Sequence, residues 1–288
     1  MFEGAYTAIV TPFTRDGRVD YERFRDLIEF QIAGGVDGLV PVGTTGESPT
    51  LDVQEHEKVI EVAIETARRR VKIIAGTGAN STAEALDLTR HAQQAGADGT
   101  LQVTPYYNKP NNLGLVRHFS AVADLGLPTV LYNVPGRSAR EIPVEVVAEL
   151  ARHPHVVAIK EAGGSVDRVS QILTRCQIEV LSGDDGLILP MMSLGAVGVI
   201  SVASNVAPRP VAELVHHALA GRWAEARGVH LKYYRLFTDM FLDTNPIPVK
   251  TALAMMGRIE ESFRLPMCEM SDALKKKLEA TLRDVQLI

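Results

Sequence analysis

Lys160 follows four apolar residues, Val156-Val157-Ala158-Ile159, and stands just before Gly163-Gly164. An apolar run of that length, bounded by turn formers, reads as a short strand buried on both faces. A lysine where such a strand runs out loses much of its water, and desolvation favours the neutral amine. Free lysine, with a pKa of about 10.4, is almost wholly protonated at neutral pH, so a nucleophilic lysine needs a site of this kind. The plain alternative is a stem packed on the strand with its head in solvent. Other residues with usable chemistry stand just past, or at the ends of, further apolar runs: Thr44 and Thr45, Tyr106 and Tyr107, Tyr132, Arg137, Gly183 and Ile200. An amine, phenols, hydroxyls and a guanidinium, with no metal-ligand cluster, describe a Schiff-base site better than a metal-hydrolase site.

These residues lie far apart in the chain, so the elements between them must bring them together. Apolar runs predict strands over residues 5–10, 38–42, 71–75, 100–103, 129–132, 156–159, 178–181 and 198–202. Helical spacing fills the intervals, as in Phe24, Leu27, Ile28 and Ile32 behind a cap at Asp20. Asp52 opens the next helix, and Ser81 with Glu84 offers a capping box for the third. Eight short strands alternating with helices, with no antiparallel hairpin signal, are the pattern of an α/β protein of the (β/α)8 TIM-barrel type. A doubly wound sheet would usually need fewer strands, and its G-x-G-x-x-G phosphate loop is missing. In such a barrel the residues just past each strand converge on one open face, which would assemble Thr44, Thr45, Tyr106, Tyr107, Tyr132, Arg137, Lys160, Gly183 and Ile200. Residues 1–221 read as the barrel and 222–288 as a small C-terminal helical domain punctuated by Pro246, Pro248 and Pro266.

Composition narrows the partners. A formal charge of −5 and a pI near 5.9 argue against a general nucleic-acid binder, so an anionic ligand would need local positive charge. Cys176 and Cys268 stand far apart, in no metal spacing, and read as reduced thiols. No apolar run is long enough to span a bilayer, and the first residues show no export signal, so the expected location is the cytoplasm. The eight histidines form no ligand spacing, and Asp184-Asp185 is expected to cap a helix near Gly186 rather than to bind a cation. Gly76-Thr77-Gly78 is too short for a nucleotide loop, and Lys275-Lys276-Lys277 reads as a solvated helix face.

Four motifs in order carry a resemblance. Gly43-Thr44-Thr45-Gly46-Glu47, Thr104-Pro105-Tyr106-Tyr107-Asn108, Tyr132-Asn133-Val134-Pro135-Gly136-Arg137 and Ile159-Lys160-Glu161-Ala162 resemble the signatures of the dihydrodipicolinate synthase family. That family belongs to the pyruvate-dependent class I aldolases. The likeness extends from Phe2-Glu3-Gly4 through Val199-Ile200-Ser201-Val202 to Asn245-Pro246-Ile247-Pro248-Val249-Lys250. It implies condensation of pyruvate with L-aspartate 4-semialdehyde, leading into diaminopimelate and lysine synthesis, with no external cofactor. By the resemblance Lys160 forms the Schiff base and Tyr132 moves protons beside it. Thr44 links two tyrosines, Thr45 holds the pyruvate carboxylate, and Arg137 holds the aldehyde's carboxylate. Gly183 and Ile200 line the pyruvate pocket. Tyr107 would come from a neighbouring subunit, which implies a homo-oligomer, expected as a tetramer of two tight dimers.

Each role has a plainer counterpart. Gly43 to Glu47 is by itself a tight strand-to-helix turn, Tyr132 a rim tyrosine, Arg137 a solvated loop arginine, and Gly183 or Ile200 simple structure. Sister aldolases, such as N-acetylneuraminate lyase or a keto-deoxy-sugar acid aldolase, share the lysine. Arg137 after Pro135-Gly136, with the paired threonines and tyrosines, favours the synthase, although Ser138 stands where it often has threonine. A barrel that has lost catalysis and only binds would lack usable chemistry at some of these positions. The resemblance also implies an L-lysine effector site at Ser48, Pro49, Val53, His56, Asn80, Glu84 and Tyr106. Pro49 and Val53 depart from the alanine and histidine that inhibited bacterial members often carry, so partial inhibition is expected. Plainer readings make Glu84 the end of the capping box and His56 a surface helix residue.

Overall fold

All eight apolar runs become strands and the segments between them become helices. The structure, a computed structural model, describes residues 1–288. The barrel half runs β1 (Gly4–Ala8), α1 (Tyr21–Ala33), β2 (Gly38–Val40), α2 (Val53–Ala67), β3 (Lys72–Gly76), α3 (Thr82–Ala95), β4 (Gly99–Val103), α4 (Asn112–Ala123) and β5 (Thr129–Asn133). It continues through α5 (Pro135–Ser138), α6 (Val144–Leu150), β6 (Val156–Glu161), α7 (Asp167–Leu173), β7 (Glu179–Ser182), α8 (Ile188–Ser193), β8 (Gly198–Ser201) and α9 (Pro208–Leu219). Three further helices follow: α10 (Trp223–Asp239), α11 (Ile247–Met255) and α12 (Asp272–Asp284). Each strand pairs in parallel with its neighbours, and β8 returns to β1 to close the barrel.

Alternation along the strands sorts the side chains into two cores. Tyr6, Val40, Ile74, Leu101, Val130, Tyr132, Ala158, Leu181 and Ile200 belong to a cluster inside the barrel. Leu39, Ile73, Leu131, Ile159, Val180 and Val199 belong to the larger cluster between the sheet and its helices. Lys160 is two residues beyond Ala158, so the pleat sends it to the barrel's interior. Leu236, Phe237, Met240, Leu253, Leu278 and Leu282 of the last three helices join the outer cluster, so this segment shares the barrel's core. No helix is long and apolar enough to cross a membrane.

Four expectations about local structure need correction. Strand ends move by one or two residues, and Lys160 lies inside β6 with Glu161 as its last residue. Phe13 and Val19 do form an isolated antiparallel bridge, too small to show as a hairpin in the sequence. Ser81 caps α3 by accepting from the Glu84 N–H at 3.5 Å, but the Glu84 carboxylate stays in solvent and the box is not closed. The complete capping box is at α2, where Asp52 Oδ1 accepts from Glu55 N–H at 2.8 Å and Asp52 N–H donates to Glu55 at 3.2 Å. Asp185 does not cap near Gly186: it reaches across to the turn after β8, accepting from Ser201 Oγ at 2.5 Å, Ala203 N–H at 2.9 Å and Val202 N–H at 3.1 Å.

Candidate active site

Adjacent strands place the amine and a phenol side by side. Tyr132 on β5 is the register partner of Lys160 on β6. The Lys160 Nζ lies 4.3 Å from the centre of the Tyr132 ring, a cation–π distance, with 5% and 6% of the two residues exposed. Gly183, just past β7, lets the lysine stem through. A Cβ there would stand 3.0 Å from Lys160 Cε and 2.5 Å from Ala162 Cβ. Ile200, fully buried, supplies apolar wall to the same interior.

Glu161, next to Lys160, points the other way and ties β6 down. It accepts from Arg168 Nε at 2.7 Å, Asn133 Nδ2 at 2.8 Å and Gly163 N–H at 2.9 Å. Burial raises the Glu161 carboxyl above its usual range, and Arg168 and these donors draw it back. Asp184 also stands near the lysine: burial raises its carboxyl and the Lys160 ammonium opposes the shift.

Thr44 faces two cavities on the open side of the barrel. A small one, of about 30 Å3, is lined by Thr44, Val42, Leu101 and Tyr132. A larger cleft, of about 210 Å3, is lined by Thr44, Ser48, Pro49, Tyr106, Val134 and Arg137. Thr44 therefore borders both the cavity that Tyr132 lines and the cleft that Arg137 lines. Gly78 lines both cavities, and a Cβ there would meet Val103 N at 2.3 Å.

The loop that carries Thr44 and Thr45 is wound tightly, with Val42 and Glu47 both in the left-handed region. The C-terminal segment holds it. Lys250, fully buried, donates to Glu47 Oε1 at 2.5 Å and lies 4.1 Å from the centre of the Phe13 ring. Burial pulls the Lys250 ammonium down and the Glu47 carboxylate holds it up. Asn245 Nδ2 donates to Thr45 Oγ1 at 2.9 Å, and Arg137 donates to the Asn245 carbonyl oxygen at 3.1 Å. None of these three functions was foreseen for Glu47, Asn245 or Lys250. A lysine at 250 and an asparagine at 245 are visible in the sequence, but their burial is not, and their partners lie about two hundred residues away.

Other expected residues scatter. Tyr107, at φ 72°, is 89% exposed and lines neither cavity of its own chain. Around the expected effector site, Ser48, Pro49 and Tyr106 share the outer cleft. Asn80 Nδ2 donates to the Tyr106 carbonyl at 3.3 Å. Val53 and Glu84 are exposed. His56 is no surface residue: its Nε2–H donates to Gly76 O at 3.0 Å, and burial lowers its pKa to about 4. Ser138 is buried, its hydroxyl closing the α5 turn on Val134 O and Arg140 O.

A closed parallel barrel with a buried interior lysine against a tyrosine ring is the architecture of a class I aldolase, a lyase. The family model described as the dihydrodipicolinate synthetase family matches residues 1–285. A 4-hydroxy-tetrahydrodipicolinate synthase of Geobacter sulfurreducens is 54% identical over 291 residues, covering all of both chains. The 4-hydroxy-tetrahydrodipicolinate synthase structure from the thermoacidophilic methanotroph Methylacidiphilum fumariolicum SolV superposes with a TM-score of 0.98. It is 49% identical and the match covers 99% of this chain and 96% of that one. The chloride-inhibited dihydrodipicolinate synthase of Acinetobacter baumannii, solved in complex with pyruvate, is 42% identical with a TM-score of 0.98 over 100% of both chains. The chain belongs to the dihydrodipicolinate synthetase family, and these relatives favour the synthase over the sister aldolases.

Proposed function

We propose that the chain condenses pyruvate with L-aspartate 4-semialdehyde to give 4-hydroxy-tetrahydrodipicolinate, with Lys160 as the nucleophile. The observation that carries this reading is Lys160 inside the barrel, packed on the ring of its cross-strand partner Tyr132. The lysine amine attacks the pyruvate ketone, water leaves, and an iminium forms. The iminium accepts the electron pair released when a methyl proton departs, giving an enamine. The enamine carbon attacks the aldehyde, and the substrate amine then closes the ring and displaces Lys160. No external cofactor enters this sequence.

Tyr132 exchanges protons beside the iminium, and Thr44, between the two cavities, relays them outward. Thr45 holds the pyruvate carboxylate, while Arg137 presents its guanidinium to the carboxylate of the aldehyde. Gly183 and Ile200 shape the pyruvate pocket. Tyr107 completes the relay of a neighbouring subunit, which its exposure supports, so the working unit is a homo-oligomer, a tetramer of two tight dimers. The enzyme works in the cytoplasm, and residues 222–288 form a C-terminal helical domain that braces the barrel's mouth.

L-Lysine binds at the outer cleft through Ser48, Pro49, Asn80, Glu84 and Tyr106, with His56 supporting it from behind. Because Thr44 and Arg137 line that same cleft, occupancy there reaches the reacting groups directly. Rising L-lysine at fixed pyruvate then lowers the rate to a plateau, and Glu84→Thr removes the effect. The primary test is turnover of pyruvate with L-aspartate 4-semialdehyde against cleavage of N-acetylneuraminate. Preference for the second substrate would reject the synthase reading for this chain.

A further inference from the structure

The chemistry of a threonine hydroxyl depends on what it already accepts. Thr45 is 3% exposed, and its oxygen receives an N–H from Asn245 Nδ2 at 2.9 Å. A hydroxyl has one proton to give. With the oxygen already accepting from an amide, that proton is free to point at an anion in the barrel. Asn245 is itself 5% exposed, and its Oδ1 is buried with no partner. An unpaired buried amide oxygen is a cost that folded proteins rarely carry without a use. The same residue's backbone carbonyl holds the Arg137 guanidinium at 3.1 Å. One residue of the C-terminal segment thus touches both groups assigned to the two substrate carboxylates, by its side chain on one side and its backbone on the other.

We infer that Asn245 is a positioning residue for pyruvate: its amide donates to Thr45 and so directs the Thr45 hydroxyl proton at the pyruvate carboxylate. This rests on the assignment of Thr45 to that carboxylate. The two contacts of Asn245 are chemically separable. Substitution of the side chain alters the Thr45 side alone, because the carbonyl that holds Arg137 remains.

Asn245→Asp keeps the shape but turns the donor into an acceptor, which captures the Thr45 proton. Asn245→Ala removes the donor and leaves the hydroxyl free to rotate. The expected order is therefore unlike that of a packing role, where the isosteric Asp would be the milder change. Steady-state kinetics of the full-length enzyme should show the KM for pyruvate raised roughly tenfold to a hundredfold by Asp and less by Ala, with the KM for the aldehyde unchanged. That range is the worth of a hydrogen bond to a charged group. A new carboxylate could also repel pyruvate directly, and Thr45→Val separates the two effects. On the Thr45→Val background, Asn245→Asp should add no further rise.

A wild-type pyruvate KM in Thr45→Val would overturn the Thr45 assignment and this inference with it. A defective Thr45→Val beside an unaffected Asn245→Asp would overturn the inference alone, since the hydroxyl would then already donate to the amide. An Ala variant worse than Asp, a parallel rise in both KM values, or a further rise in the double variant would also overturn it. If the Ala variant does not accumulate as folded protein, Asn245→Asp with and without Thr45→Val still decides the matter.

Discussion

Gly183→Ala tests the packing of the nucleophile at a single atom. The added Cβ would stand 3.0 Å from Lys160 Cε and 2.5 Å from Ala162 Cβ. Carbon atoms in contact prefer about 3.5–4.0 Å, so the lysine stem must move by roughly half an ångström or more. Ala162 has no flexible tip to swing away, and the strain falls on the backbone beyond β6 and β7. Inserting a methyl into a packed interior costs about 1–3 kcal/mol, which for a chain of this size lowers Tm by several degrees. The chemical cost is of similar size, because a misplacement near 1 Å at a reacting centre can cost about a hundredfold in rate, or about 2.7 kcal/mol. Single-turnover borohydride trapping with pyruvate reads the second effect, and a thermal melt reads the first. Gly228→Ala serves as control: it lies exposed in α10 with open space where the Cβ would go. The control should melt at the same temperature or slightly higher, since alanine favours a helix interior. Wild-type trapping by Gly183→Ala together with an unchanged Tm would refute the placement of Lys160 against that glycine. A lowered Tm with full trapping would reduce Gly183 to a structural role.

Two further perturbations probe the surroundings. Lys250→Met leaves the buried Glu47 carboxylate without its ion pair, with only the Arg264 N–H still donating to it at 3.4 Å, a loss of about 3–5 kcal/mol. Urea unfolding should show that loss, and adding Glu47→Gln should recover part of it; no loss would mean that the pair is not formed in solution. Burial lowers His56 and His118 from 6.5 to about 4 each, so the unfolded chain binds their protons first. Their stabilisation is complete above pH 6.5 and is lost as pH falls through 4, at roughly 3 kcal/mol per histidine over the whole window. Asp185, raised from 3.8 to about 6, runs the other way and favours folding as pH falls through that range. Unfolding free energies measured from pH 7.5 to 4.5 should therefore flatten when both histidines become glutamine, and an unchanged slope would show that neither is buried neutral.

The barrel was legible in the chain because its strands are buried on both faces and stand out as continuous apolar runs. For the same reason their ends were not, since a run without alternation carries no register. Lys160 looked like a residue past its strand, yet Glu161 extends β6 by backbone register with Asn133 of β5 and Ser182 of β7. Convergence at the strand ends predicted Thr44, Tyr132, Arg137 and Gly183 on one face, and in the closed barrel Thr44 shares one cavity with Tyr132 and another with Arg137, while Gly183 lies against Lys160. It could not predict the clamp on the threonine loop. Glu47 with Lys250, and Thr45 with Asn245, depend on how the last helices fold back over the barrel's mouth, and hydrophobic spacing is blind to partners of buried charge. His56 misled for a related reason: a polar residue in α2 reads as surface until a carbonyl, here Gly76 O, is found to receive its proton.

The most direct test of the account is the site of the pyruvate adduct. Two lysines are buried, Lys160 at 5% exposure beside Tyr132 and Lys250 fully enclosed on Glu47. Burial alone does not choose between them, but an ion pair occupies the second, whereas the first packs on Tyr132, which lines the small cavity beside Thr44. Borohydride reduction in the presence of pyruvate, followed by peptide mass mapping, should place one stable adduct on Lys160 and none on folded Lys160→Ala protein. An adduct on Lys250, or one that persists in Lys160→Ala, would contradict the central claim.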